Sequence, residues 1–149
     1  GKARPRMVVE QAEHCAPVVR AFESGADSAE PFENASTVAS GLRVPSAIGD
    51  FLMLEVLAQS GGTAISVSDE ALLEAVSEMA AGQGMFVCPE AGAVWAAARK
   101  LRDDAWLDPA ERIVLFNTGS GLKYNHLFPP GDLPRLDHTD PDCLDALDS

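Results

Sequence analysis

Apolar and polar positions alternate along this chain in blocks of two kinds, short continuous runs and longer helical stripes. Met7-Val-Val-Glu-Gln11 is a compact apolar run of strand length. A helix is expected over 16–24, with Pro17 in its first turn and Gly25 as its stop. Residues 26–45 are rich in Asp, Glu, Ser, Asn and Pro and read as a long connection, the kind of loop that often carries function. The stretch 48–58 is apolar nearly all round, broken only by Asp50 and Glu55, which predicts a helix packed on more than one side. After Gln59-Ser-Gly-Gly62 comes a second strand, Thr63–Val67. Ser68 then stands as an N-cap, with Asp69 and Glu70 at the positive end of the helix dipole. Leu72, Leu73, Val76, Met79 and Ala80 form one face of that helix, and Gly82 and Gly84 close it. A third strand over 85–88 runs into Pro89, which opens a helix to about 102 with Ala91, Val94, Trp95, Ala98 and Leu101 on one side.

The last run, Ile113-Val-Leu-Phe116, is continuous rather than alternating, the pattern of a strand buried on both faces. It ends abruptly in Asn117-Thr-Gly-Ser-Gly121. Strand and helix thus alternate from 7 to 117. That order predicts an α/β fold: a three-layer parallel sheet with helices on both faces. Ligands of such sheets sit beyond the carboxyl ends of the strands, where the glycine turn would lie. Either the turn serves only as a turn, or its two glycines and short hydroxyls let a ligand approach. A dinucleotide fingerprint is excluded, since Tyr124 stands where its third glycine would be and Pro129-Pro130-Gly131 follows instead of a helix.

Composition narrows the class. The 149 residues suffice for one core, and 46% hydrophobic with 23% charged residues is ordinary globular content. A net charge of −12, without clustered Lys and Arg, argues against nucleic-acid partners. No apolar run reaches membrane-span length, and the opening residues lack a signal-type apolar segment. Cys15, Cys88 and Cys143 lie far apart and read as reduced thiols, giving a cytoplasmic expectation and no metal site. His138 lies among the acids of an acidic tail, a solvated run rather than a ligand set. His14 and His126 have no partner at metal-ligand spacing. The Asn34-Ala-Ser36 sequon carries no weight without a secretory signal.

The string Leu115-Phe-Asn-Thr-Gly-Ser-Gly-Leu-Lys-Tyr124 resembles the closing strand and loop of threonine synthases, pyridoxal-phosphate enzymes of fold type II. Pro5-Arg-Met-Val8 with Gln11-Ala-Glu13 and Cys15-Ala-Pro17, Thr37 to Pro45, and Cys88-Pro-Glu90 are similar to segments of the same family. The resemblance covers roughly 7–124. It implies an incomplete fold-type-II large domain over 1–125 and a polar, Pro-containing tail over 126–149. It also implies the C-terminal part of a longer protein, whose missing N-terminal half completes the sheet and supplies the Schiff-base lysine upstream of Gly1.

By that resemblance Thr118 hydrogen-bonds the cofactor's pyridine nitrogen, Gly119 and Ser120 shape the loop beside it, Gly41 lets the 37–45 segment pass close to the ring, and Glu90 opens the helix facing it. Glu90 can equally serve only to complement its helix dipole. Here the order is Glu90-Ala-Gly-Ala93, where the family has Glu-Gly-Ala-Ala. Arg43 either meets an anionic substrate or cofactor oxygen, or pairs with one of the many acids. The implied activity is conversion of O-phospho-L-homoserine and water to L-threonine and phosphate, with this chain alone inactive. Two other readings stand beside it: a fragment of a related fold-type-II lyase (threonine or serine dehydratase, or cysteate-synthase-like), and a free-standing non-catalytic α/β binding module. Homodimerisation stays open.

Overall fold

The structure, a computed structural model, describes residues 4–129, 131 and 139. Lys2, His138, Cys143 and most of the expected acidic tail lie outside the described residues. Strands β1 (Val8–Ala12) and β2 (Thr63–Val67) pair in parallel, with Val8 opposite Thr63 and Ala12 opposite Val67. A parallel pair needs a long crossover, and α1 (Pro17–Ser24), the polar connection and α2 (Asp50–Ser60) fill it. Helices α3 (Asp69–Gln83) and α4 (Pro89–Asp103) follow β2.

The period-two alternation of the strands assigns the layers. Ile65 and Val67 turn one face of the sheet towards α4 and α3, in a core with Leu72, Ala75, Ala93, Ala97 and Leu101. Val9 turns the other way, onto Val18, Ala21 and Leu54 of α1 and α2. Helices therefore cover both faces of a parallel sheet, as the pattern predicts. Gln11 also points towards α1: its Oε1 accepts from the Val18 and Val19 N–H groups at 2.9 and 3.1 Å. A strand side chain thus satisfies amides that the Ala16 cap leaves free.

The local signals hold in detail. Ser68 caps α3 by accepting from the Ala71 N–H at 3.2 Å. Gly25, Gly61 and Gly84 follow their helices in the left-handed region. The α3–α4 contact rests on a glycine. A Cβ at Gly92 would lie 2.4 Å from the Leu72 carbonyl oxygen and 2.7 Å from Val76 Cγ2, so the helices close to a distance only glycine allows. The buried side of α4 is accordingly Ala91, Gly92, Ala93, Ala96, Ala97 and Leu101, whereas Val94, Trp95 and Ala98 are half-buried.

Three expectations need correction. The run 85–88 forms no strand: Val87 makes one isolated antiparallel bridge to Ser120, flanked by Cys88 N–H to Gly119 O at 3.1 Å and Gly121 N–H to Phe86 O at 2.9 Å. The run 113–116 has no ladder partner among the described residues, and Val114 and Phe116 are 78% and 70% exposed. A strand is a property of two backbones, and here the second is absent from the described set. Helix α2 buries only Leu54 and Leu57, while Phe51, Leu52 and Val56 face outward and the preceding Ile48 is 97% exposed. Its apolar girdle meets the sheet on one side alone.

Candidate functional site

The 117–121 turn comes to rest against the start of α4 because the 87–120 bridge holds it there. The polar connection returns from the other side as the short 3-10 turn Ser40–Leu42. Between them lies a cleft of about 520 Å³, lined by Gly41, Cys88, Glu90, Thr118, Lys123 and Tyr124, among others. This is within the usual range for small-molecule sites.

Glu90 organises the cleft. Its Oε1 accepts from the Gly41 N–H at 2.8 Å and from the Tyr124 hydroxyl at 2.5 Å. Tyr124 has one proton and gives it to Glu90, so the 2.6 Å contact with Ser40 is a bond donated by the serine. One tyrosine thereby ties the 40–42 turn, the α4 start and the turn after 120 into one unit. Gly41 is required here, since an added Cβ would stand 2.7 Å from Glu90 Oε1. Burial opposes ionisation of Glu90, but hydrogen bonds from Tyr124, its own amide, Cys88 and Gly41 outweigh it and hold the carboxyl below its ordinary range. Burial, with the bond to Glu90, raises the Tyr124 phenol. Burial also raises the Cys88 thiol, against the Ala91 amide and with the Glu90 charge adding to the rise.

Of the residues singled out in the sequence, Gly41, Glu90 and Thr118 line one cleft. Gly119 backs it, where a Cβ would meet Lys123 Nζ at 3.0 Å and Cys88 Sγ at 3.3 Å. Ser120 lies outside the lining: its hydroxyl accepts from the Leu122 N–H at 3.2 Å and caps the short helical turn Gly121–Leu127. Arg43 lines a neighbouring cleft. Sequence reasoning passed over Tyr124, Ser40, Cys88, Lys123 and Glu10. Tyr124 is the sole tyrosine of the chain and closes the 115–124 motif, and Glu10 is an acid inside an apolar strand. Both were signals of a kind. Burial pushes Glu10 up to about 6, with its own backbone amide pulling the other way.

The donor set suits a flat, polar-edged cofactor such as pyridoxal phosphate. Thr118 offers a neutral hydroxyl and Glu90 an ionised carboxylate, while the Cα faces of Gly41 and Gly119 are filled by Glu90 and by Lys123 with Cys88. Among the described residues no group of three or more His, Cys, Asp or Glu could hold a metal, and no helix is long and apolar enough to cross a membrane.

Residues 1–119 match the family described as pyridoxal-phosphate dependent enzymes. The threonine synthases of Methanosarcina acetivorans and Methanocaldococcus jannaschii are 39% and 35% identical over 119 residues, covering 80% of this chain and 29% of each relative. That of Mycobacterium tuberculosis is 34% identical over the same length, 31% of its own. The chain thus spans about a third or less of the curated relatives it matches. Among solved structures, a T.th. threonine deaminase is similar at 25% identity and a TM-score of 0.54, over 68% of this chain and 35% of that one. Maize serine racemase is similar in fold, with a TM-score of 0.56 at 18% identity, over 83% and 38%.

Proposed function

Because the chain belongs to the pyridoxal-phosphate dependent enzymes, we propose that it forms the cofactor-facing C-terminal part of a threonine synthase. In this reading residues 1–125 belong to the cofactor-binding domain, and the whole protein converts O-phospho-L-homoserine and water to L-threonine and phosphate. The observation that carries it is the meeting of Thr118, Glu90 and Gly41 in one cleft, within a chain similar to threonine synthases along four-fifths of its length.

When bound, the cofactor supplies an electron sink for charge developing beside the amino group of the substrate. This chain's residues set how strong that sink is. The Thr118 hydroxyl would hold the pyridine nitrogen without imposing a proton on it, as a carboxylate there would. That favours elimination and replacement over transamination. Glu90 stays anionic and anchors the Gly41 amide, so the 40–42 turn would keep a fixed wall beside a bound ring. Tyr124 orients Glu90. In this reading neither lysine near the cleft anchors the cofactor: Lys100 is exposed on α4, and Lys123 lines the cleft from the turn after Thr118.

The likeness to threonine deaminase favours a second reading, a dehydratase acting on L-threonine. The protein carrying this chain is assayed with the cofactor and each substrate. Threonine and phosphate in equal amounts from O-phospho-L-homoserine support the first reading. A 2-oxo acid and ammonia from L-threonine, without that product, would replace it with the second. Borohydride reduction followed by peptide mapping should place the cofactor on a lysine outside this chain; label on Lys123 would overturn that assignment.

A further inference from the structure

Of the two acids in the cleft, Glu90 is held by its neighbours and Glu10 is not. Glu10 lies between Val9 and Gln11 in β1, and the register sets it opposite Ile65, whose side chain faces α4. Alternation along the strand turns Glu10 to that same side, away from the α1 face that Val9 and Gln11 share. There it lines the cleft with Val94 of α4, Glu90, Thr118 and Lys123. Glu90 is tied by the Gly41 amide and the Tyr124 hydroxyl. The ion pairs among the described residues are Arg6–Glu111 and Arg99–Glu78, so no cation there is paired with Glu10. Only its own backbone amide works against the burial that pushes its carboxyl up to about 6. Lys123 is the one cation on the cleft wall among the described residues. Cys88 and Tyr124 are both raised, so they stay neutral near neutral pH.

We propose that Glu10 is the proton-binding group of the cofactor cleft: pyridoxal phosphate is taken up together with a proton from solvent, which Glu10 holds as a neutral carboxylic acid. Two carboxylates and an anionic cofactor share one cleft with a single cation on its wall, and like charges at close quarters do not all persist. A ring seated beside Thr118 also displaces water, which penalises any charge that no donor satisfies. Glu90 has donors that favour its ionised form. Glu10 has only its own amide, so Glu10 is the acid that yields. Held neutral, it places no second negative charge beside the ring and leaves the Thr118 hydroxyl as the group that meets the pyridine edge. The sign of the pH dependence follows. Below about pH 6 Glu10 already carries its proton, and uptake of the cofactor is independent of its titration. Above that, each binding event draws a proton from solvent, so affinity falls as pH rises. The inference rests on the cofactor alone, which the threonine synthase and dehydratase readings share.

The test follows pyridoxal phosphate binding to the cofactor-free whole protein by calorimetry, from about pH 5 to about pH 8, in buffers of different ionisation enthalpy. Glu10→Gln is the reference. It keeps the shape of the side chain and fixes it neutral, and its own proton exchange subtracts the changes on the cofactor and its lysine. The wild type should take up close to one proton more than the variant near pH 8, and none more near pH 5. Its affinity relative to the variant should fall about tenfold or more across that range. An infrared difference spectrum of the wild type near pH 8 gives a reading that needs no variant. A carboxylic-acid carbonyl band should appear as the cofactor fills the cleft, and should shift when glutamate is isotope-labelled. Equal affinities of the two proteins across the range, an equal proton count, or binding without that band each overturns the proposal. None of these outcomes depends on whether threonine or a 2-oxo acid is the product, which the substrate assays decide.

Discussion

Tyr124 carries one hydroxyl, and two loops and a helix start depend on it. It is only 9% exposed, donates to Glu90 and accepts from Ser40. Tyr124→Phe keeps the ring and removes both bonds. The Glu90 carboxyl should then titrate higher, because a donor that favours its ionised form is gone, and the Gly41 amide should exchange faster. The variant should lose about 1–2 kcal/mol at neutral pH. A carboxyl held low in the folded state stabilises it above the ordinary carboxylate range and stops doing so as pH falls through its own pKa. The deficit of the variant should therefore shrink in acid. NMR titration of Glu90 beside denaturation at two pH values checks this; an unmoved Glu90 would remove the tyrosine from its role. Glu10 has the opposite sign. Its pKa of about 6 exceeds the ordinary 4.5, so the folded state holds its proton longer and loses stability as pH rises from 4.5 through 6. Glu10→Gln should be nearly neutral at pH 4 and stabilising by at most roughly 2 kcal/mol at pH 8. Thr118→Val should weaken cofactor retention by about 1–3 kcal/mol, read by equilibrium dialysis of pyridoxal phosphate.

The helices were legible because their signals are local. Proline in the first turn, serine at the cap and glycine past the end are each fixed within four residues, and α1, α3 and α4 begin and end within a residue or so of those marks. Which side of α4 is buried was less legible, because periodicity favours large residues and the contact is made by small ones. Gly92 shows the consequence. Gly92→Ala should gain about 1 kcal/mol in helix propensity, yet its Cβ would strike the Leu72 carbonyl, an overpacking cost of about 1–3 kcal/mol. Net destabilisation is expected in urea melts, with the reduced packing seen as faster exchange in α3; a stabilised variant would show that the helices part freely. The strands at 85–88 and 113–116 fared worse. Their apolar runs are sound strand sequences, but no residue in a run states which backbone lies beside it.

Across the whole molecule, the unpartnered apolar surface gathers on α2 and the 113–116 run. Phe51, Leu52 and Val56 on α2, and Val114 and Phe116 on the later run, leave large apolar side chains in water that soluble domains usually cover. The 149-residue chain alone should sediment as concentration-dependent oligomers near physiological salt, and Phe51→Lys with Phe116→Lys should reduce this. At low salt the net charge of −12 would mask the effect by repulsion. A monodisperse monomer with one sharp thermal transition would show that these faces need no cover. The sequence of the whole protein would then be expected to add nothing against them.

The chain's own order of residues determined its α/β class, its helix limits and the motif that resembles its family. All of these follow from patterns within a turn or two, or from the continuous string at 115–124. Tertiary structure decided which side chains meet. It set Tyr124 against Ser40, 84 residues away, and against Glu90, 34 residues away, and turned Ser120 from the cleft into a cap. It also set Arg43 and His126 in one cleft and Glu10 and Glu90 in its neighbour, with Lys123 lining both. Hydrogen bonds and charges act over a few ångströms of space and carry no period along the chain, so their partners become visible only once the backbone has brought them together.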